Sequence, residues 1–184
     1  MASTTDPPAP GLVLLLGGAR SGKSALAVRW GRAHAGPVSF VATAEAGDDE
    51  MRERIARHRA ERPDGWHTIE EPWEIAGALR SVDPRALVIV DCLTLWLANV
   101  LDRSDATILA MAGDFTAAAR SRHAPTVVVS NEVGWGVVPA DPATRRYRDL
   151  LGEINTQVAD AAARALLLVA GRALPLQQAP TSPI

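Results

Sequence analysis

Short blocks of consecutive apolar residues alternate along this chain with longer stretches in which apolar and polar positions mix. Residues 12–16, 38–42, 86–91, 126–130 and 165–170 are blocks of the first kind, rich in Val, Leu and Ile. Runs of this length read as strands buried on both faces. Residues 66–69 add a shorter candidate. The mixed stretches read as helices: from residue 25 to about 35, closed by Gly36-Pro37, and from 48 to about 61, closed before Pro63. Further helices are expected over 74–80, 93–101, 105–122 and 143–163. Asp48, Asp49 and Glu50 put acids at the start of the second helix, where its dipole favours them. Apolar strands separated by helices predict an α/β fold, a mainly parallel sheet flanked by helices on both faces. Ligands of such sheets sit beyond the carboxyl ends of the strands.

A length of 184 residues fits one domain, and 47% hydrophobic residues supply a core for it. Residues 1–10 read as a flexible leader, 11–174 as the domain and 175–184 as a flexible tail. A formal net charge of −2 argues against a broad basic surface for nucleic acid. No apolar segment approaches the roughly 20 residues of a membrane span, and no basic residue opens a signal peptide. A single cysteine, Cys92, excludes an internal disulfide and is expected to pack in the core. A cytoplasmic protein is the expectation.

The strand at 12–16 runs into Gly17-Gly18-Ala19-Arg20-Ser21-Gly22-Lys23-Ser24, which fits the phosphate-loop pattern G-x-x-x-x-G-K-[ST] at every fixed position. Glycines let the backbone curl so that successive N–H groups face phosphate oxygens, and the following helix start adds further donors. Lys23 reaches β- and γ-phosphates, and the Ser24 hydroxyl ligates Mg²⁺. A plain glycine-rich turn explains the spacing less well. The chain is expected to bind a nucleoside triphosphate.

Asp91 ends an apolar strand, where a carboxylate needs a partner. Mg²⁺ is the first candidate, and a cap for the helix beginning at Leu93 is the alternative. Between Met51 and Arg62 stand Arg52, Arg54, Arg57, Arg59 and Arg62 around a single His58. Guanidinium groups around an imidazole favour its neutral, nucleophilic form and offset triphosphate charge. From residue types alone, a solvated helix face with Glu53 and Arg57 paired is the simpler account. Asn131 and Glu132 follow a strand at the ligand edge and are candidates for contact with an acceptor; a structural turn is the alternative. His34, His67 and His123 lack comparable surroundings. The five tryptophans fit either the core or a large flat ligand, and their spacing decides neither.

These segments together resemble the bifunctional adenosylcobinamide kinase / adenosylcobinamide-phosphate guanylyltransferase family. The resemblance rests on residues 17–24, Val41-Ala42-Thr43, residues 48–51 and 54–59 with Arg62-Pro63, residues 90–94, and Ser130-Asn131-Glu132-Val133-Gly134 with Val138-Pro139. It implies a single RecA-like P-loop NTPase domain and two successive reactions. A γ-phosphoryl group from ATP or GTP goes to the aminopropanol hydroxyl of adenosylcobinamide. GMP from GTP then goes to the new phosphate through a covalent guanylyl group on His58. By the same resemblance, Gly17 to Ser24, with Thr43 nearby, hold phosphates. Arg59, Arg62, Glu70 and Asp91 contact the nucleotide, and Ser24 and Asp91 serve Mg²⁺. Asp91 stands where some members carry Glu. The family also implies a homo-oligomer, expected to be a trimer. Two other classes compete, a phosphate-loop small-molecule kinase without nucleotidyl transfer and a nucleotide-switch ATPase.

Overall fold

The computed structural model describes residues 6–179; the first five positions of the expected leader and the last five of the expected tail lie outside the described residues. The described residues form seven strands: β1 (Leu12–Leu16), β2 (Val38–Ala42), β3 (His67–Glu70), β4 (Leu87–Asp91), β5 (Thr126–Val129), β6 (Arg164–Val169) and β7 (Arg172–Leu176). They form one sheet in the order β3-β2-β4-β5-β1-β6-β7. The first six run parallel, and β7 pairs antiparallel with β6. The helices are α1 (Lys23–Ala33), α2 (Asp49–Ala60), α3 (Ile75–Ser81), α4 (Leu93–Asn99), α5 (Asp105–Arg120) and α6 (Pro142–Ala161).

The mainly parallel α/β architecture is the one the apolar blocks predict. β7 is the exception. The chain turns back after β6 through Ala170 and Gly171, both at positive φ (49° and 74°), a two-residue hairpin. Pro175 and Leu176, assigned by the sequence to the flexible tail, pair with Leu166 and Ala165 instead. Proline is tolerated there because β7 is an edge strand.

The period of two along each strand splits the core between the two faces of the sheet. Leu12 and Leu14 of β1 pack with Val88 and Val90 of β4 under Leu79 of α3, Trp96 of α4, Phe115 of α5 and Leu151 of α6. Val13 and Leu15 pack on the opposite face with Phe40, Ile89, Val127 and Trp30 of α1. Two of the five tryptophans, Trp30 and Trp96, are therefore core residues. α2 differs from the other helices, since none of its described side chains is buried. Asp48 caps it by accepting from the Met51 N–H at 2.7 Å. The chain just after it is tied down by Arg62, whose guanidinium stacks 3.6 Å above the Phe40 ring, and by the Glu61 carbonyl, which accepts from Arg32 at 2.9 Å. Among the described residues no helix is long and apolar enough to cross a membrane.

Candidate active site

Parallel strands deliver their carboxyl ends to one edge, and the strand order decides which ends are neighbours. β5 lies between β1, which leads into the glycine loop, and β4, which ends in Asp91. Residues 130–132 therefore emerge between that loop and Asp91. The backbone records this directly, with the Ser130 N–H donating to the Leu15 carbonyl at 2.9 Å and the Glu132 N–H to the Gly17 carbonyl at 3.3 Å.

The loop itself is tightly constrained. Gly17 (φ 146°) and Gly22 (φ 102°) hold conformations that side chains disfavour, and Arg20 is left-handed at φ 56°. A Cβ on Gly17 falls 2.3 Å from the Leu168 carbonyl oxygen. The hairpin turn before β7 buttresses the loop, with the Gly171 N–H donating to the Ser21 carbonyl at 2.9 Å. Gly22 precedes α1 and supplies no side-chain cap, so the N–H groups of the first turn point out of the helix toward whatever the loop cradles. Lys23 is buried and folds back over the loop, donating to the carbonyls of Gly17 (2.8 Å) and Gly18 (2.7 Å) and to Ser21 Oγ (3.3 Å). Gly18, Ala19 and Arg20 form the exposed crest.

Asp91 is the hub of the edge. Burial pushes its carboxyl above the usual carboxylate range; a hydrogen bond from the Ser24 side chain and the nearby charges of His58, Arg62 and Lys23 pull it back down. His58, placed by the sequence on a helix of its own, thus shares one electrostatic neighbourhood with the phosphate-loop lysine. Burial also lowers the Arg62 guanidinium, with Asp91 opposing that shift, and its Nε is buried without a hydrogen-bond partner. A buried donor of this kind is set up to bind an anion. Arg59 pairs with Glu70 at the end of β3 across 3.2 Å, both side chains being mostly exposed.

Thr43 follows β2 directly, its N–H donating to the Asp91 carbonyl at 3.2 Å. It is fully buried (0% exposed). Its hydroxyl donates to the Cys92 carbonyl at 2.7 Å and accepts from the Cys92 N–H at 2.8 Å. Through these two bonds Thr43 clasps the chain right after the hub carboxylate; the Asp91–Cys92 peptide bond there is cis. Four residues given no individual role from the sequence also position this edge. Thr94 Oγ1 accepts from the Asn131 N–H, Tyr147 donates to the Thr94 carbonyl, Asn155 donates to the Asn131 carbonyl, and Asn99 donates to the carbonyls of Thr43 and Pro72. Only Thr94, which lies within the stretch around Asp91, carried a sequence signal. Asn131 and Glu132 are half-buried, and Glu132 accepts from the Gly134 N–H at 2.7 Å. Cys92 is buried in the core below, its thiol pushed up to about 11 by burial and the adjacent Asp91.

A parallel sheet with a phosphate loop after its first strand and an acidic hub two strands away defines a P-loop NTPase of the RecA-like kind. Solved structures agree at the level of fold. A Pyrococcus horikoshii OT3 protein described as a structural study of Project ID PH0250 superposes with a TM-score of 0.56 at 10% identity, covering 91% of this chain and 86% of that one. The RadB recombinase superposes with a TM-score of 0.51 at 20% identity, covering 86% and 74%.

Residues 13–176 match the family described as cobinamide kinase / cobinamide phosphate guanyltransferase, and the chain belongs to that family of bifunctional enzymes. The bifunctional adenosylcobalamin biosynthesis protein CobP of Pseudomonas aeruginosa is 43% identical over 91% of this chain and 98% of its own length. The CobU protein of the same description from Escherichia coli is 35% identical over 87% and 96%.

Proposed function

We propose that this enzyme phosphorylates adenosylcobinamide and then converts the product to its GDP derivative, with His58 as the guanylyl carrier. The observation that carries this reading is that the charges of His58, Arg62 and Lys23 all act on the Asp91 carboxyl, which the Ser24 hydroxyl hydrogen-bonds. A simple kinase has no use for an imidazole there.

In the first reaction the acceptor hydroxyl oxygen attacks the γ-phosphorus of a nucleoside triphosphate held by residues 17–24; the nucleoside diphosphate leaves and the hydroxyl proton is lost. Lys23 exchanges its loop carbonyls for phosphate oxygens, a stronger, charge-assisted pairing. Asn131 and Glu132, emerging between loop and hub, contact the acceptor. In the second reaction an imidazole nitrogen of His58 attacks the α-phosphorus of GTP and pyrophosphate leaves. The acceptor's phosphate oxygen then attacks the same phosphorus, and His58 is released. Arg59 and Arg62 balance the charge that accumulates at the α-phosphate, with Glu70 orienting Arg59. The Ser24 hydroxyl and Asp91 carboxylate form an oxygen pair that fits Mg²⁺, an ion that takes few protein oxygens besides phosphate and water. Among the described residues no group of three or more acidic, His or Cys side chains offers a fuller cage. Mg²⁺ bound there neutralises triphosphate charge.

The test uses GTP labelled at the α-phosphate, with Mg²⁺ and purified protein. Label that survives denaturation, resists alkali, is released by acid and is absent from His58→Ala is the expected result. A wild-type protein that binds GTP but takes up no label is a phosphate-loop kinase without nucleotidyl transfer.

A further inference from the structure

A broad groove among the described residues lies outside the nucleotide machinery. It runs between α6 and the segment just after β5 and encloses about 710 Å³, within the roughly 300–1,000 Å³ of small-molecule pockets. Glu132 is one of its lining residues, and its backbone N–H is bonded to the Gly17 carbonyl that also holds the Lys23 amine. Through Glu132 the groove adjoins the first residue of the phosphate loop.

Its chemistry is one-sided. Glu132, Asp149, Glu153 and Asp160 line it against a single cation, Arg148, which pairs with Asp149 at 2.7 Å. Glu153 and Asp160 make no ion pair. Their spacing along α6 places them on one stripe of the helix, and the stretch from Arg148 to Asp160 spans about 18 Å at the helical rise. Gly152 lines the middle of that stripe. Glycine in a helix interior is disfavoured, and here a Cβ meets no atom within 4 Å. The chain just beyond Gly134 is uncovered at Trp135 (75% exposed) and Val137 (94% exposed).

We propose that this groove seats the corrinoid acceptor, its cationic, carboxamide-rimmed ring lying along α6 while its hydroxyl-bearing arm reaches past Glu132 to the phosphate loop. The proposal rests on the function argued above and extends it to the acceptor's binding surface. Carboxylates accept from primary-amide N–H groups and complement the charge of a cobalt(III) corrin. The bare glycine leaves room for the ring to approach the helix.

The experiment measures cobinamide binding by its visible absorbance, and cobinamide phosphorylation, in wild type, Gly152→Trp and the double variant Glu153→Lys/Asp160→Lys. GTP affinity, which reads the phosphate loop, reports whether each variant is folded. The expected result is cobinamide affinity weakened by about ten-fold or more in both variants, with KM for cobinamide rising in parallel. If wild type phosphorylates cobinamide and both folded variants bind it as tightly as wild type, the groove assignment is overturned while the kinase reading stands. A wild-type protein that neither binds nor phosphorylates cobinamide overturns the functional reading, and the groove's occupant with it.

Discussion

Thr43 commits both hydrogen-bonding capacities of its hydroxyl to the backbone of Cys92, 49 positions away in the chain. Thr43→Val keeps the shape and leaves a buried N–H and C=O without their partner, which costs about 1–3 kcal/mol. Urea unfolding checks this, and an unchanged midpoint counts against the clasp. Sequence patterns could not reveal the contact, because a hydroxyl's partner depends on which strands become neighbours. Cys92 was legible as a core residue, since it follows an apolar strand and is unpaired. Its thiol, raised to about 11 by burial and the adjacent Asp91, is expected to ignore an aromatic disulfide reagent at pH 7.5 in the folded protein and to react fully in urea. Prompt reaction without denaturant contradicts the buried placement.

Among the elements, the phosphate loop separates two adjacent glycines, Gly17 at a fixed position of the loop pattern and Gly18 at a free one. Gly17→Ala puts a methyl group 2.3 Å from the Leu168 carbonyl in a backbone conformation hostile to side chains. Loss of measurable GTP binding and a lower melting temperature are expected, from local strain on the order of 1–3 kcal/mol. Gly18→Ala meets nothing within 4 Å and is expected to melt like wild type, so equal behaviour of the two variants argues against the loop conformation. The helices were legible nearly to their ends because their caps are local: Asp48 before α2, Ser104 before α5, and Asp141 with Pro142 at the start of α6. β7 was not. Its five residues include a proline, and Ala170 gives no turn signal comparable to Asn or Gly. Its strand character comes from pairing with β6.

Across the whole molecule, acid is expected to loosen the helical layer over one face of the sheet. Asp83 is held down at about 2 by hydrogen bonds from Arg85, Asp114 below the usual range by Arg80 on α3, and Asp141 by the Thr144 N–H at the start of α6. A carboxyl depressed in the folded state stabilises above its unfolded value of about 4 and loses that contribution as pH falls through its folded value. The melting temperature should therefore hold steady on account of these groups above about pH 5 and decline from about pH 4 toward pH 2. Asp83→Asn should flatten part of the decline, and high salt should shrink it, because these groups face solvent. A melting curve indifferent to pH over that window contradicts the assignment.

The fold class and the chemistry of the loop could be read from the sequence because both depend on local rules. Apolar blocks of strand length between capped helices predict a covered parallel sheet. The glycines, Lys23 and Ser24 are contiguous, so their pattern survives without knowledge of contacts. What only the tertiary structure decided is who meets whom at the sheet's edge. Residue types alone made the arginine-rich helix around His58 a solvated face, and a weakly packed α2 agrees with that as far as burial goes. The fold nonetheless brings His58 and Arg62 within electrostatic reach of Asp91, on which Lys23 also acts. The open groove along α6 likewise exists only because that helix and the segment after β5 diverge in space. Proximity between distant segments is a property of packing, which hydrophobic periodicity constrains but does not specify.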